Sequence, residues 1–156
     1  MLFIVSAEIL ENIQVLKLDK KNKEEVLEDL SNAAINAGYA KSGYLEAILE
    51  REEKYPTGLH TPQIEVAIPH ADAEWANAPS LTIGLLEHPV TFKPMGGEGG
   101  DVAVEIVFML TIKEPKQQIK FLQAFSTLMA EPQLLIDFKN TGNHEPFTNQ
   151  IKMKMG

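Results

Sequence analysis

The nine residues Val102 to Leu110 are apolar on both faces of an extended chain except at Glu105. A strand with that pattern must be covered on both sides, which predicts a central, buried strand in a layered sheet. Its surroundings fit. Ile13–Leu18, Ile64–Ile68, Leu81–Leu86 and Val90–Phe92 also read as extended segments. Helical spacing appears on either side of this block.

Asn22 and Glu25 form a capping-box-like start to a helix through Val26, Leu27, Leu30, Ala33, Ala34 and Ala37, which stops at Gly38. Ser42 is the expected cap of a second helix through Leu45, Ile48 and Arg51, ended by Tyr55-Pro56-Thr57-Gly58. Pro115 opens a third, with Ile119, Leu122, Phe125, Ser126 and Met129 as its expected apolar face. Glu131-Pro132 breaks it before a shorter helix at Leu134, Leu135 and Phe138. The polar stretch after Lys139 reads as a tail with a weak ending. Strands bracketed by helices predict an α/β fold, a central mixed β-sheet flanked by α-helices, and 156 residues suffice for one core. Residues 1–156 are therefore expected to form a single domain.

Charge narrows the partners. With a formal charge of −8, the chain has the wrong sign for gripping a phosphate backbone, so nucleic acid is excluded as an expected partner. Any phosphate chemistry must rely on a local cluster of donors. Zero cysteines rule out a thiolate nucleophile and a cysteine-based zinc site. The opening Leu2-Phe3-Ile4-Val5 is cut off by Glu8 and Glu11, so neither a signal peptide nor a membrane anchor is expected, and the cytoplasm is the default compartment.

Chemistry concentrates at Ala67-Ile68-Pro69-His70-Ala71-Asp72. A strand ending at proline projects the next side chain past the sheet, where α/β folds place binding residues. Histidine there can act as general base, ligand or nucleophile, or simply pack. His60, His88 and His144 read as loop residues. Neither H-x-x-x-H, HExxH nor G-x-S-x-G occurs. The loop Gly96-Gly97-Glu98-Gly99-Gly100 lacks the lysine and the context of a nucleotide cradle. No metal or organic cofactor is expected.

Two strings in order, Arg51-Glu52-Glu53-Lys54-Tyr55-Pro56-Thr57-Gly58-Leu59 and Val66-Ala67-Ile68-Pro69-His70-Ala71-Asp72, resemble the signature of the enzyme IIA domains of the bacterial sugar phosphotransferase system, fructose/mannitol superfamily. The resemblance is clearest over residues 19–138 and includes the helix start Pro115 to Leu122. It implies that His70 accepts a phosphoryl group at Nε2 from phospho-HPr and passes it to a cognate IIB component. Membrane IIC is involved only indirectly. Arg51 and Thr57 match motif positions and are implied to support the phosphoryl group. Many relatives carry a second histidine where this chain has Gln118, whose amide can donate a hydrogen bond but cannot titrate. The Pro-x-Gln-Gln pattern resembles the galactitol branch. The resemblance also admits a nitrogen-type regulatory phospho-switch, and beside it stands a degenerate module in which His70 is never modified.

Overall fold

The computed structural model describes residues 8–155; the Leu2–Val5 segment lies outside them. Five strands, β1 (Ile13–Leu18), β2 (Gly58–Leu59), β3 (Glu65–Ala67), β4 (Ser80–Phe92) and β5 (Val102–Thr111), form one mixed sheet in the order β1-β4-β5-β3-β2. Five helices cover it: α1 (Lys23–Asn36), α2 (Tyr44–Lys54), α3 (Pro115–Leu128), α4 (Pro132–Thr141) and α5 (Glu145–Met155). The expected α/β architecture is therefore the observed one.

β5 takes the central place, antiparallel to β4 and parallel to β3. Ile106, Phe108 and Leu110 face the core beneath α3, α4 and α5, while Val107 and Met109 face α1 and α2. Glu105, the polar interruption, is tied to Lys139 of α4 at 2.7 Å, with both side chains largely covered. That pair also marks a change of register, since Glu65 of β3 pairs with Val104 but Val66 pairs with Ile106.

The strands, α3 and the tail differ from expectation. Leu81–Leu86 and Val90–Phe92 are one strand, β4, whose register against β5 shifts between Leu85 and Val90. Glu87, His88 and Pro89 are exposed there, and a bulge tolerates proline because the ladder makes no use of its missing N–H. The buried face of α3 is Phe121, Ala124, Phe125 and Leu128, and Ile119 is 56% exposed. The tail after Lys139 includes a packed helix. Phe147 of α5 is fully buried, stacked on Phe108 at 5.1 Å and on Phe138 at 5.9 Å. Burying one such ring is worth about 1.5–3 kcal/mol, enough to dock an otherwise polar segment.

The α1 start matches its signature: Asn22 Oδ1 accepts from Glu25 N at 2.9 Å, and Asn22 Nδ2 donates to Glu25 Oε1 at 2.8 Å. Gly38 follows with φ +86°, the left-handed turn that glycine adopts freely. The α2 cap is Gly43 rather than Ser42. Trp75 packs directly on it, and a Cβ at residue 43 would lie 2.4 Å from the indole. The segment after His70 is thereby pinned to the start of α2.

Candidate functional site

β3 ends at Ala67, but the chain stays beside β5. The Leu110 N–H donates to the Pro69 carbonyl at 3.1 Å, and His70 sits in parallel register with Leu110. The proline thus falls where its lack of an N–H costs nothing while its carbonyl still serves. The Leu110 carbonyl is in turn held by the buried Tyr44 hydroxyl, which donates to it at 2.7 Å. Burial pushes the Tyr44 phenol far above its ordinary range, so this group remains a donor and never ionises in use.

The His70 ring is half-buried at the end of the sheet, with Nδ1 2.8 Å from the Ile68 carbonyl. A carbonyl only accepts, so Nδ1 carries the proton and donates, and in the neutral ring Nε2 keeps its lone pair. Burial lowers the imidazole pKa below the usual histidine range. The Ile68 bond opposes that shift, the Arg51 charge adds to it, and the Asp72 charge opposes it. Near neutral pH the ring is consequently an uncharged imidazole of defined tautomer.

Arg51 comes from the last turn of α2. Its Nη1 donates to Asp72 Oδ1 at 3.1 Å, with the arginine side chain 35% and the aspartate 71% exposed. Its guanidinium carbon lies 5.5 Å from the centre of the Tyr55 ring. The buried Nε has no hydrogen-bond partner among the described residues. An unsatisfied buried donor is uncommon and marks a place where an acceptor would be welcome. A cleft of about 920 Å³ opens beside the pair, bordered by Glu46, Glu50, Arg51, Asp72 and Trp75.

Thr57 is close in the chain but aimed elsewhere. Its hydroxyl donates to Glu52 Oε1 and its N–H to Glu52 Oε2, each at 2.8 Å, while its carbonyl accepts from Ile68 N at 3.2 Å. Thr57 therefore reaches His70 only through Ile68. Gln118 lies in the first turn of α3, which follows β5 at the end where Leu110 meets His70. It is half-buried, and no hydrogen bond joins its side chain to His70. Of the four expected residues, the structure brings Arg51 to His70 electrostatically, sets Thr57 behind it, and leaves Gln118 at the same end of β5.

Sequence reasoning missed Glu52, Tyr44 and the pairing role of Asp72. Glu52 is masked by its charged neighbours, and Tyr44 by an expected cap at Ser42, one residue before the observed cap Gly43. No group of three or more His, Cys, Asp or Glu among the described residues could hold a metal ion. No described helix is long and apolar enough to cross a membrane.

Residues 9–154 match the family described as phosphoenolpyruvate-dependent sugar phosphotransferase system, EIIA 2. In sequence the chain is 29% identical over 133 residues to the PTS system galactitol-specific EIIA component of Escherichia coli, covering 83% of this chain and 88% of that protein. In structure it resembles the crystal structure of IIA mannitol from Escherichia coli with a TM-score of 0.70 at 20% identity, covering 91% and 96% of the two chains. It resembles equally, at 0.70 and 19% identity with 90% and 94% covered, a chain in the complex of enzyme IIA mannitol with phosphorylated enzyme IIB mannitol from the same organism. At these identities the structural likeness speaks for the fold.

Proposed function

The chain belongs to the EIIA 2 family of the phosphoenolpyruvate-dependent sugar phosphotransferase system, and on that premise we propose that His70 is its phosphoacceptor, charged by phospho-HPr and discharged to a cognate IIB component. The observation that carries this reading is the 2.8 Å bond from His70 Nδ1 to the Ile68 carbonyl on a ring that burial keeps neutral.

The Nε2 lone pair attacks phosphorus, and the new N–P bond forms as the bond from phosphorus to the donor breaks, its electron pair returning to the donor. Nδ1 keeps its proton throughout and shares the developing ring charge with the Ile68 carbonyl. The same steps in reverse pass the group to IIB. Phosphoryl transfer depends chiefly on positioning and on donors around the oxygens. Arg51 is the group for this task, since its charge acts on the His70 ring and its five-donor guanidinium has N–H groups beyond the Nη1 that Asp72 engages. Gln118 can offer an amide N–H from the α3 end. Thr57 acts behind the ring rather than on the phosphoryl group.

Tyr55, beside the Arg51 guanidinium, and Ile119, next to Gln118 in α3, are 64% and 56% exposed and offer apolar surface that HPr and IIB can share in turn. The galactitol-specific relative points to a galactitol-like polyol as the transported substrate. It favours transport over a purely regulatory switch, and the ordered ring argues against an unmodified module. The protein would work in the cytoplasm and meet membrane IIC only through IIB.

Incubation with phosphoenolpyruvate, enzyme I and HPr should add a single phosphate, read by intact-protein mass spectrometry at neutral to alkaline pH. An unmodified mass beside fully charged HPr would refute the reading.

The lowered pKa sets a second expectation. An ordinary histidine is half-protonated near pH 6.5, whereas His70 should remain neutral there and gain its proton only at lower pH. The unfolded chain takes up that proton first, so the contribution of this group to stability is present above about pH 6.5 and is lost as pH falls toward the lowered pKa. An NMR titration of the His70 ring protons should give a midpoint below 6.5. A midpoint at or above that value would contradict the desolvated site.

A further inference from the structure

Glu52 is only 3% exposed, although it stands in the charged run Glu50-Arg51-Glu52-Glu53-Lys54. Burial pushes its carboxyl pKa upward, and the two bonds from Thr57 and the charge of Lys23 pull the other way. Burying a carboxylate is unfavourable unless hydrogen bonds compensate, and here Thr57 supplies two at 2.8 Å. The end of α2 does not need this clasp, because Tyr55 N already donates to the Arg51 carbonyl at 2.7 Å. The clasp serves something else.

Behind Thr57 lies β2, which pairs with β3 over only Gly58↔Ala67 and Leu59↔Val66. On its other flank the Gly58 N–H donates to the Lys93 carbonyl at 3.1 Å, so the clasp on Thr57 extends a short ladder that is already anchored at Gly58. The next link outward is the Ile68 N–H to Thr57 carbonyl bond at 3.2 Å, and the Ile68 carbonyl receives His70 Nδ1 at 2.8 Å. From the other side the same segment is fixed independently, by Leu110 N to the Pro69 carbonyl and by Tyr44 to the Leu110 carbonyl. Ile68 is thus held at its N–H by Thr57, which Glu52 clasps, while the next carbonyl along the chain, that of Pro69, is held from β5.

We infer that Glu52 is a positioning residue for phosphoryl transfer: by clamping Thr57 it holds the Ile68 carbonyl in place and so selects the Nδ1–H tautomer of His70. This rests on the reading of His70 as phosphoacceptor. The carboxylate touches neither the ring nor the phosphoryl group and acts through Thr57 and Ile68, along three successive hydrogen-bond steps.

The test compares wild type, Glu52→Ala, Glu52→Gln and Thr57→Val. It reads the His70 tautomer by long-range ¹H–¹⁵N NMR and single-turnover phosphorylation by phospho-HPr. Glu52→Ala should mix the two tautomers and slow phosphorylation about 10- to 100-fold, the scale of a small displacement of a reacting group. Glu52→Gln should recover most of the Nδ1–H population, since its amide oxygen can accept from Thr57 N while its NH₂ donates to Oγ1. Thr57→Val, which keeps the shape and removes the hydroxyl link, should fall between them, and it carries the test alone if Glu52→Ala does not fold.

A folded Glu52→Ala protein with the wild-type tautomer and rate overturns the inference. So does a Glu52→Gln protein as disordered at His70 as Glu52→Ala, or, if it carries the test alone, Thr57→Val with the wild-type tautomer. The tautomer readout needs no phosphoryl transfer. A wild-type protein that stays unphosphorylated while the variants shift tautomer as expected would therefore sink the phosphoacceptor reading and leave the positioning of the ring standing.

Discussion

His70→Ala will fold and take up no phosphoryl group. The ring is half-buried at the rim of the sheet, and its one hydrogen bond among the described residues is to the Ile68 carbonyl. Its loss should cost about 1 kcal/mol, the net worth of one such bond. Thermal unfolding should therefore shift by only a few degrees. Phosphorylation should fall to background, because removing the nucleophile removes the covalent intermediate itself. His60 cannot substitute. Its ring nitrogens are engaged by the Gly100 carbonyl at 2.9 Å and by Glu65 at 2.6 Å, and those contacts, the Gly100 bond foremost, raise its pKa and favour the non-nucleophilic imidazolium. Intact-protein mass spectrometry of the variant beside wild type measures this. Retention of the added phosphate would place the acceptor elsewhere.

Arg51→Ala should slow phosphoryl transfer about 10²- to 10³-fold, the usual consequence of deleting one preorganised donor at a charge-bearing transition state. The fold should persist, because the Arg51–Asp72 pair is partly exposed and such pairs add little stability. Arg51→Lys should restore only part of the rate: it keeps the charge but loses the planar fork and the Nε donor. A second readout separates electrostatics from simple disruption. Arg51 lowers the His70 pKa and Asp72 raises it, so Arg51→Ala should move the His70 NMR midpoint upward. An unchanged single-turnover rate with an unchanged midpoint would remove Arg51 from the site.

Much of this arrangement was legible in the sequence because local physics and tertiary structure agree there. The two-faced apolar run fixed β5 at the centre, the Asn22–Glu25 pair opened α1, and the proline before His70 marked the strand end where the ring projects. What escaped depends on contacts distant in the chain. Pro89 reads as a strand breaker, yet β4 carries it across a bulge. Residues 145–155 look too polar to pack until Phe147 meets Phe108 and Phe138. The α3 periodicity suggested Ile119 as a core residue, whereas the buried stripe starts at Phe121. Gly43 rather than Ser42 caps α2 because Trp75, more than thirty residues onward, leaves no room for a side chain there.

The same division runs through the site. His70 and Arg51 stood out by motif, and the structure gives the ring its tautomer and the guanidinium its partner. The family resemblance implies Thr57 on the phosphoryl group. Its hydroxyl is instead spent on Glu52, and nothing in a run of charged residues betrays that the third of them is buried. Gln118 keeps a place at the correct end of β5 but makes no bond to the ring. Burial and hydrogen-bond direction, the two properties that turn a histidine into a directed nucleophile, exist only once the chain is folded.

The most direct test of the central claim is a long-range ¹H–¹⁵N NMR correlation of the His70 ring at pH 7, recorded before and after phosphorylation by phosphoenolpyruvate, enzyme I and HPr. The account predicts a neutral ring with the proton on Nδ1 and a bare Nε2 beforehand, and phosphorus on Nε2 with the Nδ1 proton retained afterwards. An imidazolium or an Nε2–H tautomer in the free protein, or phosphorus on Nδ1 in the charged one, would contradict it.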